Sequence, residues 1–108
     1  CNMRCGYCYN IEVVKSNGTI SFSEVCDFLD RRVGKLNGIV FSGGECTAHP
    51  LFLRLAREVK ARGFSLKVDN NGSYRDVLKE AIDEGLIDYI ALDFKAPKEK
   101  IIGITGTN

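Results

Sequence analysis

The chain has 108 residues, which is the size of one small domain, and its 44% hydrophobic content is normal for a globular protein. Its formal net charge of +1 gives no reason to expect a nucleic acid or an anionic membrane as a partner, and no apolar run approaches the roughly 18–20 residues of a membrane span. The five cysteines, three of them crowded at the N-terminus, are typical of a reducing compartment rather than of a disulfide framework, so we expect a cytoplasmic protein.

The chain opens on a cysteine loop, residues 1–8, in which Cys1, Cys5 and Cys8 have a C-x3-C-x2-C spacing. Thiolates are soft ligands that suit iron–sulfur clusters, zinc or copper. A structural zinc site normally has four protein ligands, and so does an electron-transfer 4Fe–4S cluster. Three cysteines would leave one iron of such a cluster open to another ligand.

Helices and strands alternate along the rest of the chain. Residues 9–20 are predicted to form a connecting loop, and Ser21 and Glu24 form a capping box that opens a helix ending near Gly34. The continuous apolar run of residues 38–42 predicts a strand buried on both faces. A helix with Pro50 in its first turn, a strand, a third helix and a third strand follow, over residues 50–63, 64–68, 74–85 and 89–92.

An acidic residue follows each predicted strand at equal intervals, namely Glu45, Asp69 and Asp93. Strands joined by single helices are parallel, so the pattern indicates an α/β fold of parallel βα repeats. The three acids should then lie at the carboxyl end of the sheet, beside the cysteine loop, where α/β folds place their functional groups. Three strands cannot close a barrel, so we expect residues 1–108 to be a single incomplete domain, with its first strand and C-terminal half outside this sequence.

The cysteine loop resembles the CxxxCxΦC signature of the radical S-adenosylmethionine (SAM) enzymes, with Tyr7 as the aromatic residue. The resemblance implies part of a partial TIM-barrel domain. It also implies that Cys1, Cys5 and Cys8 are catalytic ligands of a 4Fe–4S cluster whose open iron binds SAM. In that family, one electron from the cluster cleaves SAM to methionine and a 5′-deoxyadenosyl radical. Tyr7 would pack against the adenine.

Three further motifs resemble the glycyl-radical activating enzymes of that superfamily. Ser42-Gly43-Gly44-Glu45 is similar to the motif that binds the SAM amino group, and Asp69-Asn70-Asn71-Gly72 is similar to a D-[TS]-N-G turn. The third is the stretch 92–95. The resemblance implies a SAM site that includes Ser42, Gly43, Gly44, Glu45, Asp69, Asn71, Asp93 and Lys95, with a monovalent cation near the acids. From the residues alone, Glu45 could also be a solvated turn residue, Asp69 and Asp93 could cap helices, and Lys95 could be an ordinary surface lysine.

The implied function is activation of a glycyl-radical enzyme, with anaerobic ribonucleoside-triphosphate reductase as the expected partner and flavodoxin or ferredoxin as the reductant. The alternatives are an activase of pyruvate formate-lyase or of another glycyl-radical enzyme, and a radical SAM enzyme that acts on a small molecule. A rival of another class is a non-catalytic zinc-binding module, in which Cys46 could supply a fourth thiolate. We expect Cys46 and His49 not to be ligands and Cys26 to be a small buried side chain.

Overall fold

The computed structural model describes residues 1–107, and a parallel sheet of three strands lies at its centre. The strands are β1 (Gly38–Phe41), β2 (Ser65–Asn70) and β3 (Tyr89–Leu92), in the spatial order β1-β2-β3. The helices are α1 (Ile11–Lys15), α2 (Phe22–Arg32), α3 (Phe52–Ala61), α4 (Arg75–Asp83) and α5 (Ile101–Thr105). Two short 3-10 turns lie at Cys46–Ala48 and Lys98–Lys100. The predicted α/β architecture of parallel βα repeats is therefore confirmed.

The register of the sheet brings the carboxyl ends of the strands to one edge. Phe41 pairs with Val68 at the end of β1, and Asn70 pairs with Leu92 at the end of β3. The loops that follow β1, β2 and β3 therefore start side by side. Chain order equals spatial order, because helices α3 and α4 each return the chain by one strand position.

The core lies between the sheet and the helices α2, α3 and α4. In β2, Leu66 and Val68 are fully buried and pack in one cluster with Ala56 and Val59 of α3. The ring of Phe41 contacts Phe52 edge-on, with the ring centroids 5.8 Å apart. Each large side chain buried in this way contributes about 1.5–3 kcal/mol relative to an exposed one. The core thus fixes β2 and α3 and, through them, the edge that carries the loops.

Several predicted boundaries are wrong in detail. The predicted loop of residues 9–20 contains helix α1, whose five residues are too few to show a 3.6-residue period. Strand β2 ends at Asn70, so Asp69 lies within the strand rather than after it. Helix α3 begins at Phe52 with Leu51 as its N-cap, so Pro50 precedes the helix instead of lying in its first turn.

Strand β1 is not buried on both faces, as its apolar sequence predicted. Its residues alternate between exposed and half-buried, and Val40 is 54% exposed. The central strand β2 alternates in the same way, with Leu66 and Val68 on the covered face and Lys67 on the other. The helices of residues 1–107 thus cover one face of the sheet around β1 and β2.

Local signals for the helix ends are confirmed. Glu24 accepts a hydrogen bond from the Ser21 backbone N–H at 2.8 Å, and Ser21 Oγ accepts one from the Glu24 N–H at 3.2 Å. This is the predicted capping box at the start of α2. Gly34, just beyond the end of α2, has a φ of 74°, a left-handed conformation that glycine adopts without steric cost. Among the residues that the structure describes, no helix is both long and apolar enough to cross a membrane.

Candidate active site

A cavity of about 250 Å³ opens at the carboxyl end of the sheet. The cysteine loop, the turn after β1 and the residues at the ends of β2 and β3 line it. Every predicted site residue contributes to its wall, namely Cys1, Cys5, Tyr7, Cys8, Ser42, Gly43, Gly44, Glu45, Asp69, Asn71, Asp93 and Lys95. The prediction that the three strand-end acids lie on the same side as the cysteine loop is confirmed. Their roles in binding stay predictions.

The cysteine loop is held against the sheet at several points. Met3 is buried, and the Arg4 backbone N–H donates to the Thr105 carbonyl at the end of α5, at 2.8 Å. The Arg4 guanidinium donates back to the carbonyls of Cys1 and Met3, each at 2.8 Å. The loop is therefore folded on itself and fixed to the C-terminal helix. Cys1, Cys5 and Cys8 are free, half-buried thiols on the cavity wall.

The turn after β1 passes directly beneath Cys1. Gly43 has a φ of 111°, which side chains rarely permit. A Cβ atom on Gly44 would lie 2.7 Å from the Cβ of Cys1 and 3.0 Å from its backbone nitrogen. Only a residue without a side chain fits there while the cysteine loop keeps its position. Gly43 is thus required by its backbone conformation, and Gly44 by the close approach of the turn to Cys1.

Glu45 is turned into the protein and is only 5% exposed. Its Oε1 accepts hydrogen bonds from the Thr47 backbone N–H, at 3.2 Å, and from the Thr47 hydroxyl, while its Oε2 accepts one from the Asn71 backbone N–H at 2.7 Å. The interpretation of Glu45 as a solvated turn residue is wrong. Thr47, which is 2% exposed, was not predicted as a site residue. A hydroxyl residue two positions after an acid was the only local signal for this contact.

The two aspartates each face a lysine. Lys67 Nζ lies 2.9 Å from Asp69 Oδ1, an ion pair without hydrogen-bond geometry, and that buried oxygen has no hydrogen-bond partner among the described residues. Lys95 Nζ donates to Asp93 Oδ2 at 2.7 Å, which raises the pKa of Lys95. Neither aspartate is the N-cap of a helix in the described part of the chain, so the helix-capping interpretation is wrong.

The remaining cysteines and the histidine are placed differently. The Cys46 thiol donates to the backbone carbonyls of Asp69, at 3.4 Å, and Phe41, at 3.8 Å, and does not line the cavity of the cysteine loop. Burial raises the pKa of Cys46 to about 11, and the negative charge of Glu45 adds to this. His49 Nδ1 accepts a hydrogen bond from the Leu51 N–H at 3.2 Å, just before α3. Cys26 is half-buried in α2 rather than fully buried.

The donor set fits an iron–sulfur cluster. Within residues 1–107, no three Cys, His, Asp or Glu side chains lie close enough together to hold one metal ion. A 4Fe–4S cluster presents separate iron atoms to separate thiolates, so its ligands do not need to converge on one point. Three soft thiols on one cavity wall therefore match a cluster with one open iron.

Comparison with known proteins places the whole sequence in one family. The family model described as the radical SAM superfamily matches residues 1–108. A Methanocaldococcus jannaschii protein named as a glycyl-radical enzyme activating enzyme is 35% identical over 93% of this chain and 42% of its own length. A second M. jannaschii protein with the same kind of name is 30% identical over 92% of this chain and 38% of its length.

A third relative has a different kind of name. The tungsten-containing aldehyde ferredoxin oxidoreductase cofactor-modifying protein of Pyrococcus furiosus is 32% identical over 94% of this chain and 30% of its own length. The chain thus spans less than half the length of the curated relatives it matches. No solved structure gives a significant match.

Proposed function

Because the chain belongs to the radical SAM superfamily, we propose that it carries the cluster and SAM site of an enzyme that installs a glycyl radical on a partner protein. The observation that carries this proposal is the single cavity in which the three thiols meet the turn after β1 and the ends of β2 and β3. The chemistry supplied by the bound cluster is the one-electron reduction of SAM, which yields methionine and a 5′-deoxyadenosyl radical.

The residues of this chain bind and orient SAM in that proposal. Cys1, Cys5 and Cys8 would hold the cluster as three thiolate ligands. The glycine turn lets backbone carbonyls approach the SAM ammonium, because no side chain stands between them. Tyr7, which is 57% exposed at the cavity wall, offers its ring to the adenine. Enclosure by these groups limits competing reactions of the radical, which is the usual contribution of a protein to cofactor chemistry.

Charge on the cavity wall supports a site for the SAM carboxylate. Lys95 is a cation on the cavity wall, and its pairing with Asp93 holds it in place. The monovalent cation stays a prediction. Both aspartates already face an ammonium group at 2.7–2.9 Å, so a cation would have to displace Lys67 or Lys95.

We propose anaerobic ribonucleoside-triphosphate reductase as the partner and flavodoxin or ferredoxin as the reductant. The two relatives named as glycyl-radical enzyme activating enzymes support the class of partner. The residues at 69–72 and the turn after β1 resemble the activases of that reductase in particular. The alternative of a small-molecule or cofactor-modifying radical SAM enzyme is kept, because the P. furiosus relative is named for the modification of a cofactor.

The test is anaerobic reconstitution of the full-length protein with iron and sulfide, followed by reduction and EPR spectroscopy with and without SAM. We expect a 4Fe–4S signal that changes on addition of SAM, and release of 5′-deoxyadenosine. Stoichiometric zinc and no SAM effect would establish the zinc-binding module instead. Incubation of the reduced enzyme and SAM with the candidate reductase, and separately with pyruvate formate-lyase, then compares the yield of glycyl radical. An equal or larger yield on pyruvate formate-lyase contradicts the proposed partner.

A further inference from the structure

A chain of hydrogen bonds links the turn after β1 to the cysteine loop. It runs from Thr47 to Glu45, then to Asn71 and finally to Asn2, which lies between Cys1 and Cys5. We propose that this chain fixes the cysteine loop at the position from which SAM is bound, so that Thr47 and Asn2 are positioning residues of the site. The inference rests on the proposed function where it concerns SAM.

Burial fixes the first half of this hydrogen-bond chain, from Thr47 to Glu45 and Asn71. The Glu45 side chain is 5% exposed and Thr47 is 2% exposed, so water has little access to either. A buried carboxylate is costly unless donors satisfy it. The two donors of Thr47 take one oxygen and the Asn71 backbone N–H takes the other. The carboxylate can therefore keep only this orientation, and it holds Asn71 next to the turn after β1.

The chemistry of the Asn71 side-chain amide fixes the second half of the hydrogen-bond chain, from Asn71 to Asn2. Asn71 Oδ1 accepts a hydrogen bond from the Ser73 backbone N–H at 3.1 Å. The other end of the amide is then the NH₂ group, which can only donate. It donates to Asn2 Oδ1 at 3.0 Å. The orientation of the Asn71 side chain follows from its neighbours, and Asn2 is held by a residue that Glu45 itself holds.

This arrangement changes the role of the glutamate in the glycine motif. Three protein donors already take three of the roughly four acceptor positions of the carboxylate, so Glu45 has little capacity left to meet the SAM ammonium directly. The exposed groups beside it are the backbone atoms of Ser42, Gly43 and Gly44. Glu45 acts through Asn71 on the cysteine loop, while the backbone of the turn is left to contact the ligand.

The experiment compares Thr47→Val and Asn2→Ala with the conservative variant Thr47→Ser in the full-length protein. Thr19→Val and Asn17→Ala are matched controls, because both residues are exposed in the segment before α2. The first measurement is amide hydrogen exchange of a peptide that covers residues 1–8, where the Arg4 and Cys8 backbone N–H groups donate hydrogen bonds. The second is the SAM concentration that gives half of the EPR change of the reduced cluster.

Loss of the Thr47 hydroxyl bond to the buried carboxylate, or of the neutral amide bond between Asn71 and Asn2, is expected to raise loop exchange, and the half-saturating SAM concentration, by about three- to tenfold. We expect this for Thr47→Val and for Asn2→Ala, and values close to wild type for Thr47→Ser and both controls. The double variant Thr47→Val/Asn2→Ala should raise loop exchange no more than the larger single change, because both substitutions weaken the same chain of hydrogen bonds. If the two residues acted independently, the effects of the two substitutions on loop exchange would add.

Wild-type loop exchange in both single variants, or additive effects in the double variant, would overturn the inference. If Thr47→Val does not fold, Asn2→Ala decides the matter, because Asn2 is half-exposed on a loop. If the wild-type EPR signal does not respond to SAM, the proposed function is wrong. The exchange measurement still decides whether the hydrogen-bond chain holds the loop, because that measurement needs no SAM.

Discussion

The close approach of Gly44 to Cys1 gives the sharpest prediction for the site. The substitution Gly44→Ala would place a Cβ 2.7 Å from the Cys1 Cβ, whereas ordinary contact begins at 3.4 Å. The two atoms would have to separate by about 0.7 Å, and the backbone nitrogen of Cys1, at 3.0 Å, would have to move as well. Because Gly44 does not have a positive φ, the substitution adds this steric contact and no backbone strain.

We expect Gly44→Ala to change the position of Cys1 more than the stability of the fold. Overpacking costs typically about 1–3 kcal/mol when it is not relieved, but Cys1 is only half-buried and can shift while Met3 and Arg4 keep the rest of the cysteine loop fixed. The first cluster ligand would then be displaced by a large fraction of an ångström. A misplacement of about 1 Å can cost on the order of 10²-fold in rate. We expect Gly44→Ala to keep its fold, to retain less iron and to lose SAM cleavage by about that factor.

The assay measures iron and sulfide content after anaerobic reconstitution, the EPR change on addition of SAM, and the rate of 5′-deoxyadenosine formation. Gly18→Ala and Gly6→Ala are matched controls, because neither added Cβ would meet another atom within 4 Å and neither glycine has a positive φ. Gly6 lies in the same loop as the cysteines. Wild-type cluster content and SAM cleavage in Gly44→Ala would show that the packing of Cys1 on the turn does not position the cluster.

Three further predictions use the same reconstituted protein. Alanine at any of the three loop cysteines should abolish the cluster, whereas Cys46→Ala should keep it, because the Cys46 thiol is turned towards backbone carbonyls; iron analysis decides. Lys95→Ala should weaken SAM binding severalfold and the exposed-residue control Lys98→Ala should not, as measured by titration of the EPR change. The pKa of Cys46 in the folded protein is about 11, against an ordinary value of 9.0, so the thiol stays protonated to a higher pH in the folded state than in the unfolded state. The free energy of unfolding should fall between about pH 9 and pH 11, less so in Cys46→Ala, in denaturant titrations.

The order of the elements and the edge that carries the site were predictable from the sequence. Short apolar runs alternate with helical periods, and strands joined by single helices are parallel. The equal spacing of Glu45, Asp69 and Asp93 then brings them to one edge, because each βα unit returns the chain to the same end of the sheet. The structure places all three on one cavity wall with the cysteine loop. Regular patterns that extend over many residues were therefore sufficient to bring the candidate site residues to one edge of the sheet.

Short elements and exposure were not predictable in the same way. Helix α1 has five residues, so its apolar positions cannot show a helical period. The exposed face of β1 was predicted to be buried, because an apolar run gives no information on which of its faces a helix covers. Whether Val40 meets a helix depends on the position of α3 relative to the whole sheet. Such information lies in the tertiary arrangement and not in the local sequence.

The hydrogen bonds of Glu45 show most clearly where sequence reasoning stops. The motif locates this residue correctly, and its charge suggests an electrostatic contact with a cationic ligand. Whether that charge is available depends on burial, and the decisive donor, the Asn71 backbone N–H, lies 26 residues away in sequence. A carboxylate that is 5% exposed with three protein donors stabilises the arrangement of two loops. In this chain the acid of the motif therefore holds two loops together, and the proposed contact with the ligand falls to the backbone of the glycines beside it.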